Sequence, residues 1–164
     1  MDEAQKRTIL GLLERHRVMS IATLRPDGWP QVTTVGYANA GLTIYFLCGR
    51  GSQKAANLAR DDRVSFAIGN DPPQVMEIAA LSMAARAERV SDPEEAARAM
   101  RMLIARYPEQ TSWTGPAPSV DDVAVFRLTP VVASVIDYSK GFGHADLVAD
   151  LAEPSARSAA DRVA

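Results

Sequence analysis

The sequence predicts a mainly β protein of the α+β class: an antiparallel barrel of six or seven strands, closed or partly closed, with flanking helices. Three observations support this fold class. Short segments rich in Val, Ile, Thr and Tyr recur along the chain. Tight turns such as Pro26-Asp27-Gly28 and Asn39-Ala40-Gly41 separate several of them. Three helical segments precede or separate the strands, without the regular alternation that a parallel sheet requires.

The first half of the chain accounts for two helices and four strands. A helix is predicted over 3–15, because Ile9, Leu12 and Leu13 share one helical face. A second, shorter helix is predicted over 52–60. The strands of this half are predicted at 18–24, 30–38, 42–48 and 63–69.

The second half begins with a long, strongly bent strand predicted over 75–90. A helix over 92–106 follows, because "SDPEEAA" supplies a capping residue, an early proline and acidic residues in the first turn. A Pro-rich loop is predicted over 111–122. Two final strands are predicted at 123–128 and 131–137, separated by Pro130.

Length and composition limit the classes of function. The 164 residues fit one domain, with a barrel over 1–148 and a tail predicted to be flexible over 149–164. A net charge of −2 gives no basic surplus for nucleic acid, and no apolar run approaches the roughly 20 residues of a membrane span. The charged N-terminus does not read as a secretory signal, so a cytoplasmic location is expected. One cysteine and two histidines predict neither a disulfide nor a metal site.

Lys54 is the residue whose position most needs an explanation. It lies in the first turn of the helix predicted over 52–60, where a cation faces the positive end of the helix dipole at a cost of up to about 1 kcal/mol. Ser52 can cap that helix, and the free N–H groups of a helix start bind anions well. The pattern therefore predicts a negatively charged group near Lys54.

Two stretches carry a resemblance to a known family. "MSIATLRPDGWPQVTTVGYANAGLTIYFLCGRGSQKAANLARDDRVSFAI" and the later "FRLTPVVASVIDYSKGFGH" resemble the pyridoxamine 5′-phosphate oxidase-like family of FMN-binding split barrels. The resemblance covers roughly residues 5–148. It implies an antiparallel split β-barrel, a homodimer, and flavin mononucleotide (FMN) in a groove between the subunits.

The same resemblance implies which residues contact the cofactor. The phosphate is expected at the helix start, and backbone groups of the second strand are expected at the polar edge of the flavin ring. Many relatives carry an arginine where this chain has Gln53, so one charge is lost, and Arg50 could supply it from the preceding loop. The implied cofactor-binding residues are Val32, Thr33, Thr34, Val35, Phe46, Leu47, Arg50, Ser52, Gln53, Lys54 and Asn57.

Two departures argue against the activity of a true pyridoxamine phosphate oxidase. The basic and aromatic C-terminal segment expected in such enzymes is not found in "ADLVADLAEPSARSAADRVA". Val35 stands where a lysine for the substrate phosphate is expected, and valine cannot pair with phosphate. With that activity set aside, the resemblance still implies an FMN-dependent oxidoreductase acting on an unidentified small molecule.

The segment "DYSKGFGHADL" has two possible roles, and it leaves more than one function open for the protein. It is either a loop that closes over the flavin, with Lys140 and His144 as candidate catalytic residues, or an ordinary turn after the last strand. Related split barrels include haem binders that use a C-terminal histidine and proteins that use the deazaflavin F420. A non-catalytic cofactor-binding protein and an F420-dependent reductase are therefore the alternatives to the FMN oxidoreductase.

Overall fold

The computed structural model describes residues 1–108, 122–149 and 151. Almost all of the Pro-rich loop predicted over 111–122, and most of the tail predicted over 149–164, lie outside the described residues. The described strands are β1 (Val18–Leu24), β2 (Pro30–Ala40), β3 (Thr43–Gly49), β4 (Arg63–Gly69), β5 (Ala79–Arg89), β6 (Val123–Asp137) and β7 (Ala145–Val148). The described helices are α1 (Glu3–Arg15), α2 (Gln53–Arg60) and α3 (Pro93–Ala105).

The described strands form one antiparallel sheet in the order β3-β2-β1-β4-β5-β6-β7. Because β3 also pairs with β6, the first six strands close into a barrel and β7 extends the sheet beyond it. The predicted fold class, an antiparallel barrel of six or seven strands with flanking helices, is confirmed. None of the described helices is long and apolar enough to span a lipid bilayer.

Strict alternation along the strands builds the core. In β4 the buried residues are Val64, Phe66 and Ile68, while the residues between them face outward. The opposing strand positions contribute Ile21 and Met83 to the same interior. Helix α1 closes one side of this core with its buried face, which is formed by Ile9, Leu12 and Leu13.

Strand β6 corrects one prediction. In place of two strands separated at Pro130, one strand runs from Val123 to Asp137. Its register against β5 shifts at this point, since Ala84 faces Val132 whereas Ala85 faces Pro130. Val131 is thus an extra residue, and such a bulge accommodates a proline that has no N–H to donate.

The segment after β6 corrects a second expectation. A 3-10 turn over Tyr138–Lys140 leads into β7, so the segment is the turn of a hairpin and not a loop after the last strand. Gly141 and Gly143 have φ angles of 142° and 76°, which side chains of L-residues rarely allow. Strand β7 has only four residues, too few for a recognisable alternation in the sequence.

The C-terminal end of α1 is closed by distant residues. The Arg106 guanidinium follows α3 and donates to the carbonyl oxygens of Leu13 at 2.6 Å, Glu14 at 3.1 Å, and His16. The buried Tyr37 hydroxyl also donates to the Leu13 carbonyl, at 2.8 Å. These bonds satisfy carbonyl groups that a helix end otherwise leaves unpaired.

Candidate functional site

Strands β2 and β3 separate over part of their length and leave a gap in the barrel wall. Strand β2 pairs with β1 from Pro30 to Gly36, but it pairs with β3 only from Tyr37 to Ala40. Within the described residues, no strand therefore covers the second edge of β2 between Pro30 and Gly36. An uncovered strand edge carries backbone donors and acceptors that need partners.

The register identifies which backbone groups face this gap. The Tyr37 N–H donates to the Arg17 carbonyl at 3.0 Å, on the β1 side. Because neighbouring residues of a strand point to opposite edges, Thr33 and Val35 turn their backbone groups to β1. Val32 and Thr34 turn theirs to the gap. Two of the four β2 residues that sequence reasoning proposed thus present their backbone to the open edge.

The side chains of these four residues divide differently. Thr33 and Val35 lie opposite Ile21 and Met19 and share their inward direction, whereas Val32 and Thr34 face outward. The Thr33 hydroxyl oxygen is buried and has no hydrogen-bond partner within the described part of the chain. A buried hydroxyl without a partner is costly, so a ligand atom at this position would be stabilising.

Helix α2 begins beside the gap as the sequence predicts. The Ser52 hydroxyl accepts a hydrogen bond from the Ala55 N–H at 3.2 Å and caps the helix. The Lys54 side chain is only 8% exposed. Its ammonium nitrogen lies 6.0 Å from the centroid of the Phe46 ring. Phe46 in turn stacks on Phe126 at 5.4 Å.

The Lys54 ammonium has no negative partner among the residues that the structure describes. Among residues 1–108, 122–149 and 151 it makes no hydrogen bond and no ion pair. Burial lowers its pKa from the ordinary lysine value, and the neighbouring Cys48 thiol group offsets only part of that effect. Buried lysines are rare unless they are paired, so this position is suited to an anionic ligand.

Asn57 fixes α2 against the barrel. It is fully buried, and its amide nitrogen donates to the Thr23 hydroxyl at 3.0 Å and to the Gln31 amide oxygen at 3.2 Å. The Gln53 amide donates to the Asn57 oxygen at 2.9 Å. Both Asn57 donors are used within the protein, and these bonds hold the part of α2 that follows Lys54 against the barrel.

Thr23 and Gln31 were missed by sequence reasoning. Both occupy inward positions of their strands and lie opposite each other. The available signal was a polar residue at a position where the alternation calls for an apolar one. In the structure this polar pair is the anchor for Asn57, and Thr33 is the next inward residue of β2 after Gln31.

The other two residues proposed for the phosphate side are held differently. Leu47 lies opposite Val125, and both side chains are on the outer face of the barrel wall. Backbone groups alternate between the two edges of a strand, as in β2, so those of Leu47 point toward the gap. The Arg50 Nε donates to the Val123 carbonyl at 2.9 Å, which ties this exposed side chain to the start of β6.

The structure places Lys140 and His144 far from α2 within one chain. Strand β6 begins opposite Gly49, just before α2, and Lys140 and His144 follow its other end. Lys140 Nζ lies 3.1 Å from Asp146 Oδ2. His144 Nε2 lies 3.2 Å from the same oxygen, without the alignment of a hydrogen bond. Phe142 at the tip is 78% exposed and does not point inward.

Comparison with known proteins agrees with the fold. A sequence profile described as pyridoxamine 5′-phosphate oxidase matches residues 6–136. A search of curated proteins found no match. Among solved structures, a conserved hypothetical protein of Mycobacterium tuberculosis is similar at 28% identity, with 85% of this chain and 87% of that chain covered and a TM-score of 0.69.

Two further structures are similar at lower identity and show the shared fold alone. A haem-binding protein of Mycobacterium smegmatis has 22% identity and a TM-score of 0.70, with 91% of this chain covered, and the chain spans 59% of that protein. An FAD-binding protein of Mesorhizobium loti has 18% identity and a TM-score of 0.64, with 82% and 94% of the two chains covered. The family profile matches most of this chain, and the chain has the barrel expected for that family. The chain therefore belongs to the pyridoxamine 5′-phosphate oxidase-like family.

Proposed function

We propose that this protein binds FMN and acts as a homodimeric oxidoreductase on a small organic molecule. The observation that carries the proposal is the buried Lys54 ammonium, which has no anionic partner in the described chain and lies beside an uncovered strand edge. A phosphate supplies the missing charge, and a flavin ring has a polar edge that can pair with backbone groups.

The residues present fit this cofactor. Lys54 neutralises the phosphate, and the Ser52 hydroxyl keeps its proton for donation because it already accepts from Ala55. The Val32 and Thr34 backbone groups face the gap and can pair with the ring edge, and the Thr33 hydroxyl has no partner among the described residues. FMN, when bound, supplies reversible hydride and electron transfer.

The proposal excludes pyridoxamine phosphate as the favoured substrate. Val35 packs against the core of the barrel and offers no cation at the position where the family's substrate lysine is expected. The substrate class that fits is a small molecule with no phosphate group at the position facing Val35.

A homodimer is part of the proposal because the open edge adjoins exposed apolar side chains. Trp29 is 71% exposed and Val32 is 64% exposed, and Val18 shares the outward face of Val32 on the paired strand. Large apolar side chains exposed near an uncovered strand edge favour a subunit contact there. Light scattering at micromolar concentration should give twice the mass of the chain, and a monomer would contradict this part of the proposal.

The test of the cofactor is a titration followed by absorption spectroscopy. FMN should bind with a saturable change in the flavin bands, and riboflavin, which lacks the phosphate, should bind more weakly. Equal affinity for the two would contradict the phosphate site. Turnover with NAD(P)H and an electron acceptor should follow, whereas tight FMN binding without turnover indicates a non-catalytic flavin protein. F420 is tested as a competitor in the same assay.

Haem is the competing ligand, since a haem-binding protein shares the fold. The His144 ring nitrogen is buried and lacks a hydrogen bond, but it lies 3.2 Å from the Asp146 carboxylate. The FMN proposal predicts that His144→Ala leaves FMN affinity unchanged. A haem band in the purified protein that disappears in His144→Ala would instead favour haem binding.

A further inference from the structure

A second cleft lies on the opposite side of α2 from Lys54. Its volume is about 290 Å³, at the lower end of small-ligand sites. One wall consists of the small side chains of Ala55, Ala56 and Ala59, and the facing wall includes Ala124 and Phe126 at the start of β6. At 100° per residue, these three alanines are centred on the helix face opposite to Lys54 and Asn57. The cleft is therefore separate from the gap between β2 and β3.

The charged residues that line the cleft are both arginines. Arg50 and Arg89 contribute to it together with Ser52, and no acidic residue is among its described lining residues. Arg89 ends β5 opposite Phe126, so it stands at the rim of the barrel next to the apolar wall. In the described part of the chain, the Arg89 guanidinium has no hydrogen bond and no ion pair.

The two arginines differ in what they can offer. The Arg50 Nε already donates to the Val123 carbonyl, whereas none of the Arg89 donors is used by a described residue. One uncommitted guanidinium matches one carboxylate through two parallel hydrogen bonds. An apolar body attached to that carboxylate would cover Ala55, Ala59 and Leu58, displacing water from apolar surface.

We propose that this cleft is a binding site for a small organic monocarboxylate with an apolar body. Arg89 holds the carboxylate, and the alanine face of α2 receives the apolar part. Ser52 and Arg50 line this cleft and are also among the residues assigned to the FMN phosphate, but Lys54, Thr33 and all of β2 lie outside it. The groups proposed to hold the carboxylate and the apolar body are therefore not those proposed to hold the flavin.

The experiment uses the ¹⁵N-labelled full chain and two probes of nearly the same shape, naphthalene-2-carboxylate and neutral 2-naphthylmethanol. The carboxylate should cause saturable shifts of α2 and β6 amide signals. The alcohol should bind about 10-fold more weakly, as expected for the loss of one charge-assisted contact. Arg89→Gln should weaken carboxylate binding by a similar factor, and Ala59→Leu should remove it by filling the cleft.

Matched variants separate this site from other surfaces. Arg101→Gln and Ala97→Leu change the same residue types on α3, outside the cleft, and should bind the carboxylate like the unchanged protein. Lys54→Met should also retain binding. The proposal is overturned if carboxylate and alcohol bind equally, if Arg89→Gln has no effect, or if Lys54→Met abolishes binding, which would place the probe in the flavin-phosphate gap.

Discussion

The Lys54 ammonium lies 6.0 Å from the centroid of the Phe46 ring, so the described chain offers this buried cation an aromatic face and no carboxylate. A cation–π contact contributes about 0.5 to 2 kcal/mol. The effective penalty for burying an ion is several kcal/mol. The contact therefore offsets only part of the cost, and an anion bound beside Lys54 would offset more of it.

Replacing Lys54 should separate FMN from riboflavin. Lys54→Met is expected to weaken FMN binding roughly 10- to 150-fold, the range for losing a hydrogen bond to a charged group. Riboflavin affinity should be nearly unchanged, since it has no phosphate. Fluorescence titration of both ligands measures this, with Lys6→Met on α1 as the matched control. Unchanged FMN affinity in Lys54→Met would remove Lys54 from the phosphate site.

The same substitution should stabilise the ligand-free protein in a pH-dependent way. Near pH 7 the free energy of unfolding of Lys54→Met is expected to be higher by about 1 kcal/mol. The substitution replaces a buried cation, which has no ion pair among the described residues, by an apolar side chain. Burial lowers the pKa of Lys54 in the folded protein, whereas the unfolded chain keeps the ordinary value of 10.5. Between these two values the unfolded chain binds more protons, so rising pH stabilises the unchanged protein.

The stability difference between the two proteins should therefore shrink as the pH rises toward 10.5. Urea unfolding of both proteins from pH 7 upward measures it, and other titrating groups cancel in the difference. A gap that stays constant over this range would show that Lys54 is well solvated or already paired.

Arg106 is expected to be a major contributor to stability through the end of α1. Its guanidinium donates to three carbonyl groups of residues 13–16. Arg106→Met should cost about 2 to 3 kcal/mol, because hydrogen bonds from a charged group are lost and carbonyl groups lose partners. Arg101→Met, on an exposed part of α3, should change the free energy of unfolding by less than about 0.5 kcal/mol. Equal urea midpoints for the two variants would contradict this role.

Tyr37 should give a distinct alkaline transition. Burial raises the pKa of its hydroxyl to about 12, partly opposed by Arg106. The unfolded chain ionises near the ordinary value of 10.0, so between 10 and 12 it binds fewer protons than the folded protein and stability falls with pH. Tyr37→Phe lacks this loss, although it should be about 1 kcal/mol less stable at pH 7 without the hydrogen bond to Leu13.

The difference in the free energy of unfolding between Tyr37→Phe and the unchanged protein should therefore become smaller from pH 10 upward. Urea unfolding measures it. Ultraviolet titration provides the independent check, since one tyrosine should ionise well above the ordinary range. A constant stability difference would show that the Tyr37 hydroxyl titrates like a free phenol.

The sequence by itself determined the local elements. The Pro26-Asp27-Gly28 and Asn39-Ala40-Gly41 turns and the alternation between them predicted β1, β2 and β3 within two residues of their observed bounds. The capping role of Ser52 before α2 is confirmed, and Lys54 lies in the first turn of that helix as predicted. These features depend on the preferences of adjacent residues, which a sequence displays directly.

Only the tertiary structure decided which edges and charges are left without partners. Strand β6 continues past Pro130 because β5 accommodates a bulge there, and β7 forms because β6 supplies an edge. The gap between β2 and β3 arises because β2 pairs with β1 from Pro30 to Gly36 but with β3 only from Tyr37 to Ala40. The cap on the end of α1 comes from Arg106, 93 positions after Leu13. Such features arise from pairing between distant segments, whose energies depend on the closed barrel and not on the residues alongside them in the chain.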